Sequence, residues 1–134
     1  PGLKTSVFCS TPAVGVGRNV SRKHAMEMLL TAAPIDATTA LAWGLVNRVV
    51  PLAELDATIA GLVAQIVVHS APIIALGKRT FYAQIDRDLA GAYALTGETM
   101  ACNLMTDDAG EGIDAFVGKR APVWPSARRG GAGD

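Results

Sequence analysis

The sequence predicts a mostly α-helical chain with a single short strand, and three observations carry that prediction. Leu55, Ile59, Leu62, Val63, Ile66 and Val67 recur at i, i+4, i+7, i+8, i+11 and i+12, which is one face of a helix over about 52–68. Ser21, Asp36 and Ser70 each stand just before an apolar-periodic stretch, where a side-chain oxygen can accept from an orphan N–H of the first turn. Only one run, Leu45 to Val50, is β-branched enough to read as a strand, and Pro51 ends it.

Taken in order, residues 1–20 are Gly- and Val-rich without helical periodicity and are punctuated by Ser10-Thr11-Pro12, so they read as a loop with a short turn. Ser21 opens a helix over 22–32 with Ala25, Met28, Leu29 and Ala32 on its apolar side. Asp36 opens a short helix through Trp43, and Gly44 supplies the left-handed stop that side-chain-bearing residues resist. Ser70 caps a helix that starts near Pro72, where a missing N–H costs nothing. A further helix spans Leu89 to about Met105. Asp107 or Asp108 opens the last one, with Ile113, Phe116 and Val117 expected on its buried side and Lys119 and Arg120 complementing its negative end. A lone strand cannot satisfy its own N–H and C=O groups. The run 45–50 therefore needs a partner, from upstream chain or another subunit, or else it is extended loop.

Composition narrows the function. The chain has 134 residues, of which 50% are apolar and 18% charged, with 14 Gly and 7 Pro; this is the profile of one globular domain, not of a disordered or collagen-like chain. Twelve basic and twelve acidic residues cancel, so the broad positive field of a nucleic-acid binder is missing. Locally the charge is uneven: residues 1–53 and 115–134 are each basic by three, and 86–114 are acidic by six. These are either solvated helix faces or basic ends that converge on an anionic ligand. Cys9 and Cys102 are too few and too far apart for a disulfide framework or a zinc site, so a reducing compartment, the cytoplasm, is expected. Apolar runs are broken well before the roughly 18 residues that cross a bilayer, and no membrane or nucleic-acid partner is expected.

Four motifs then stand in sequence. They are Arg22-Lys23-His24-Ala25-Met26-Glu27-Met28-Leu29-Leu30-Thr31, Ile35-Asp36-Ala37 with Ala40-Leu41-Ala42-Trp43-Gly44-Leu45-Val46, Val49-Val50-Pro51, and Glu111-Gly112-Ile113-Asp114-Ala115-Phe116 with Lys119-Arg120. Their order and spacing resemble the C-terminal half of the crotonase superfamily of enoyl-CoA hydratases and isomerases. Phe8-Cys9-Ser10-Thr11-Pro12 and Leu76-Gly77-Lys78-Arg79-Thr80-Phe81-Tyr82 look most like its enoyl-CoA hydratase domain-containing subgroup.

The resemblance implies an α/β crotonase-like fold, a ββα spiral, of which this chain is the mostly helical C-terminal portion with one or two short strands. On that basis residues 1–50 are the end of the crotonase-like core, 51–125 a C-terminal helical oligomerisation region and 126–134 a mobile tail. The strand's partners are then expected upstream of Pro1. It also implies an acyl-CoA substrate, no separate cofactor beyond that coenzyme A thioester, and a homo-oligomer, trimer or hexamer. The oxyanion donors and first carboxylate of the family precede the matched region, so no catalytic residue is assigned here. The family's second glutamate follows a proline, and counting back places that pair on Pro1-Gly2. Glycine has no proton to give, which favours a single-acid reaction such as isomerisation, or no catalysis.

Phe116 and Lys119 are the candidate ligand-binding residues. In the family, residues at these places cover the coenzyme A part of a ligand on an adjacent subunit. An ammonium three residues along a helix from an aromatic ring lies on nearly the same face. The alternative reading, a core phenylalanine and a helix-end charge, stays open. Other groups carry less. His24 and His69 lie 45 positions apart with no further ligand at metal spacing, and Cys9 has no base nearby in sequence. Gly15-Val16-Gly17 lacks the rest of a dinucleotide fingerprint and reads as a turn. Tyr82, Tyr93, Trp43 and Trp124 read as packing residues.

Overall fold

Polar caps set most of the helix starts. The computed structural model of the chain describes residues 2–129, with the side chain of Arg129 outside that description. The chain divides into two compact units, Pro1–Thr58 and Ile59–Asp134.

The first unit holds a 3-10 turn at Gly2–Thr5 and helices α1 (Ser10–Asn19), α2 (Arg22–Thr31) and α3 (Ala37–Ala42). Helix α1 corrects the expected loop. Pro12 falls in its first turn, where the missing N–H had no intrahelical acceptor to lose, and α1 packs on α2. Gly15 and Gly17 lie inside this helix instead of forming a turn, on its exposed side. In α2 the Ser21 hydroxyl accepts from the His24 N–H at 3.3 Å, Ala25 is buried, and Met28 and Leu29 are half-buried, as the periodicity predicts. Asp36 caps α3 by accepting from the Thr39 N–H at 2.7 Å, and that bond holds its carboxyl below the usual range. Gly44 takes φ 79. Its N–H donates to Leu41 and the Leu45 N–H reaches back to the Ala40 carbonyl, the paired bonds of a Schellman stop.

No strand ladder occurs among the described residues. The run Leu45 to Val50 is irregular chain with bends at Leu45 and Asn47. Its β-branched side chains suit a sheet, but backbone groups form a ladder only against a second strand, and the described chain offers none.

After a 3-10 turn at Leu52–Glu54 comes α4 (Leu55–Val67), within which the division between the units falls. The second unit continues with α5 (Ala71–Gln84), α6 (Leu89–Leu104), α7 (Asp107–Val117) and α8 (Pro125–Arg129). Helix α5 packs on α6 and α8, and α7 on α6 and α8. Ser70 caps α5 at the Ile73 N–H, and Asp88 caps α6 at the Gly91 N–H. Part of the expected tail is therefore helical, and residues 130–134 lie outside the described residues.

Apolar cover is thin. Among the described residues no large side chain is fully buried, and the α4 stripe of Leu55, Ile59, Val63, Ile66 and Val67 faces outward. The buried side expected for α7 is likewise corrected: Ile113, Phe116 and Val117 are exposed, and Asp108 and Ala115 take the inner positions. Tyr82 and Tyr93 are also exposed. Among the described residues no single helix is long and apolar enough to cross a membrane.

Candidate functional site

Helix α7 and the segment after it bring together a network of charged and polar side chains in the second unit. Thr106 caps the helix by accepting from the Ala109 N–H at 3.2 Å, and Asp107 and Asp108 place negative charge at its positive end. Asp108 is turned inward and 5% exposed, where an ionised group needs partners. It accepts from the hydroxyls of Ser70 and Ser126 and from the Ser126 N–H at 2.9 Å, joining the starts of α5 and α8 to α7.

One face of α7 is closed by the returning chain. The Trp124 ring lies on Gly112, where an added Cβ would be 3.4 Å from it, and its indole N–H donates to the Val68 carbonyl at 2.8 Å. Beside it a cavity of about 420 Å³ is walled by Ile73, Ile74, Ala109 and Trp124, with His69, Asn103 and Asp108 among its polar lining. The Asn103 side-chain oxygen is buried there without a hydrogen-bond partner.

Phe116 lies in the last turn of α7 and Lys119 just past its C-terminal end. Phe116 is 84% exposed and packs as no core residue would. Lys119 lies beyond the helix, which ends at Val117, so the same-face argument for the two does not hold as the spacing suggested. Lys119 instead takes φ 50, its N–H donating to the Phe116 carbonyl at 3.2 Å while the Arg120 N–H reaches the Ala115 carbonyl at 3.0 Å. Arg120 then forks onto Glu111, Nη1 to Oε1 at 2.6 Å and Nη2 to Oε2 at 2.9 Å, and the Val123 N–H adds 2.7 Å to Oε1. The Arg120 bonds, followed by that from Val123, pull the Glu111 carboxyl down to about 2, and the same pair raises the Arg120 guanidinium.

This clamp was not visible in the sequence, since its partners stand nine positions apart and share no helical spacing. The other singled-out groups stay apart. His24 stacks on Trp43 with ring centres 4.2 Å apart, and Cys9 is half-buried ahead of α1. Among the described residues no group of three or more His, Cys, Asp or Glu could hold a metal. Pro1 lies outside the described residues. At Gly2 an added Cβ would fall 2.4 Å from the Val7 carbonyl oxygen, so this turn has no room for a glutamate.

A family model described as enoyl-CoA hydratase/isomerase matches residues 8–127. The chain belongs to the enoyl-CoA hydratase/isomerase family. Enoyl-CoA hydratase domain-containing protein 3, mitochondrial, of Rattus norvegicus is 48% identical over 124 residues, covering 92% of this chain and 41% of the relative. A crystal structure of an enoyl-CoA hydratase from Mycobacterium smegmatis superposes with a TM-score of 0.90 at 48% identity, covering 92% of this chain and 48% of that one. The human enoyl Coenzyme A hydratase domain-containing protein 3 gives 0.89 at 48% identity, with 92% and 49% covered. This enoyl-CoA hydratase/isomerase chain thus spans less than half the length of each of these three relatives, and as their mostly helical portion it has their crotonase fold. The cytoplasmic expectation is overturned, because the rat, mouse and human relatives are all named mitochondrial. Two scattered cysteines argue only against a disulfide framework and carry no address.

Proposed function

We propose that this family member acts on acyl-CoA thioesters, and that residues 1–134 contribute ligand contact while the main catalytic groups lie outside them. Chemistry at a 2-enoyl thioester needs two hydrogen-bond donors aimed at the thioester oxygen, where enolate-like charge develops, and a carboxylate to move protons. The observation that carries the reading is the outward-facing Phe116 with Lys119 just past the same helix end, in a chain 48% identical to relatives named for enoyl-CoA. A ring that packs on an apolar or adenine surface and an ammonium that meets phosphate suit the coenzyme A arm.

The test is steady-state turnover of crotonyl-CoA by the full-length protein, followed as loss of the conjugated thioester's absorbance. Phe116→Ala and Lys119→Met should each raise KM by about 3- to 10-fold with kcat little changed, because the contact is shared by ground and transition states. Unchanged KM in both variants would refute the ligand-contact role.

A second reading is favoured by Gly2, which supplies no carboxylate and admits none: an acyl-CoA-binding, oligomerising module without turnover. On that reading crotonyl-CoA binds and its absorbance stays constant. Measured hydration or isomerisation removes it.

A further inference from the structure

Among the described residues the same helix-ending motif occurs twice, with opposite residue choices. At the end of α3 its left-handed position is Gly44, φ 79; at the end of α7 it is Lys119, φ 50. Glycine enters that region freely, whereas any residue with a Cβ is strained there. At the α7 end the glycine stands one residue early, as Gly118 with φ −77. A glycine at 119 would make the turn unaided, so stability alone gives no reason for a lysine.

The strained residue is instead held from both sides by α7 itself. Before it, the Gly118 N–H donates to Asp114 at 2.8 Å and the Lys119 N–H to Phe116. After it, the Arg120 N–H returns to Ala115 and the Arg120 fork closes on Glu111. The fork has a second consequence. It occupies the Glu111 carboxylate, and among the described residues no carboxylate pairs with Lys119. Strain kept where surrounding bonds over-determine it, on a residue left with an open charge, is the pattern of a pre-organised contact.

We propose that Glu111 and Arg120 are positioning residues, which hold Lys119 in its left-handed conformation so that its ammonium meets a phosphate of a coenzyme A thioester whose arm lies on Phe116. The inference rests on the reading of Lys119 as a ligand contact. Arginine suits the task because its planar fork fixes direction as well as charge, which a lysine at 120 could not do.

The experiment is a double-mutant cycle on the full-length protein, read as the dissociation constant of free coenzyme A by calorimetry at low salt. Lys119→Met should weaken binding by about 3- to 10-fold, and Glu111→Gln by a similar factor. The double variant should bind no more weakly than Lys119→Met alone, since the clamp acts only through that ammonium. Arg120→Lys breaks the fork from the other side, completes the same cycle and should match Glu111→Gln. If Lys119→Met leaves affinity unchanged, the ligand-contact reading falls and takes this inference with it. If Lys119→Met weakens binding while Glu111→Gln and Arg120→Lys do not, only the positioning role falls. Equal losses from the clamp variants with and without Lys119 would show a merely structural clamp and overturn the inference in the same way.

Discussion

Ala32 and Lys119 both hold φ 50, the first at the end of α2 and the second past α7. Glycine at either position removes Cβ strain, offset in part by the greater freedom it gives the unfolded chain. Ala32→Gly and Lys119→Gly should therefore each stabilise by up to about 1 kcal/mol in denaturant unfolding, and lower midpoints in both would contradict the strain argument. Only the second should weaken coenzyme A binding. Glu111 sets a pH dependence of definite sign. Its folded-state value near 2 lies below the ordinary 4.5, so the stability it contributes is present above 4.5 and is lost as pH falls from 4.5 to 2. Glu111→Gln should flatten the unfolding curve across that window, and an unchanged acid slope would deny the clamp its charge. At this scale the sequence was only partly legible. Phe116 and Lys119 stand out as an aromatic and a cation near a helix end, but nothing local distinguishes Arg120 as the residue that pairs and Lys119 as the one left open.

At the level of elements, caps were read from sequence because they are local. Ser21, Asp36 and Ser70 each accept from an N–H three residues on, a distance set by helix geometry alone. The second role of Ser70, donating to Asp108 thirty-eight positions away, is tertiary and had no sequence signal. Asp108→Ala removes the acceptor shared by α5, α7 and α8 and strands the Ser126 N–H, so it should cost about 2–4 kcal/mol. Ser70→Ala, which loses one cap and one bond, should cost less. Chemical denaturation of the variants measures both, and a cost below 1 kcal/mol for Asp108→Ala would mean that the three helices are tied elsewhere. The α7 face was misread for a related reason. Ile113, Phe116 and Val117 share a helical stripe, but a stripe says which residues point the same way and not which way is inward.

For the molecule as a whole, the outward apolar surface is the dominant physical feature. Leu55, Ile59, Val63 and Ile66 on α4, Leu89 and Met100 on α6, and Phe116 on α7 are all exposed, and no large side chain is fully buried among the described residues. Surface of this kind associates with other protein. Residues 1–134 produced by themselves should bind a hydrophobic dye and sediment as a concentration-dependent assembly. A monomer without dye binding at high concentration would show that these faces are satisfied at home.

The amino-acid order alone determined the helices between residues 21 and 117, the Gly44 stop and the family, because caps, apolar periodicity and short motifs act between residues a few positions apart. Tertiary structure decided the rest: that α1 is helical although rich in glycine, that the run after Gly44 forms no ladder, which side of α7 faces inward, and how Glu111 and Arg120 frame Lys119. Each of these depends on what an element packs against or bonds to across the fold, and no local preference is strong enough to oppose it.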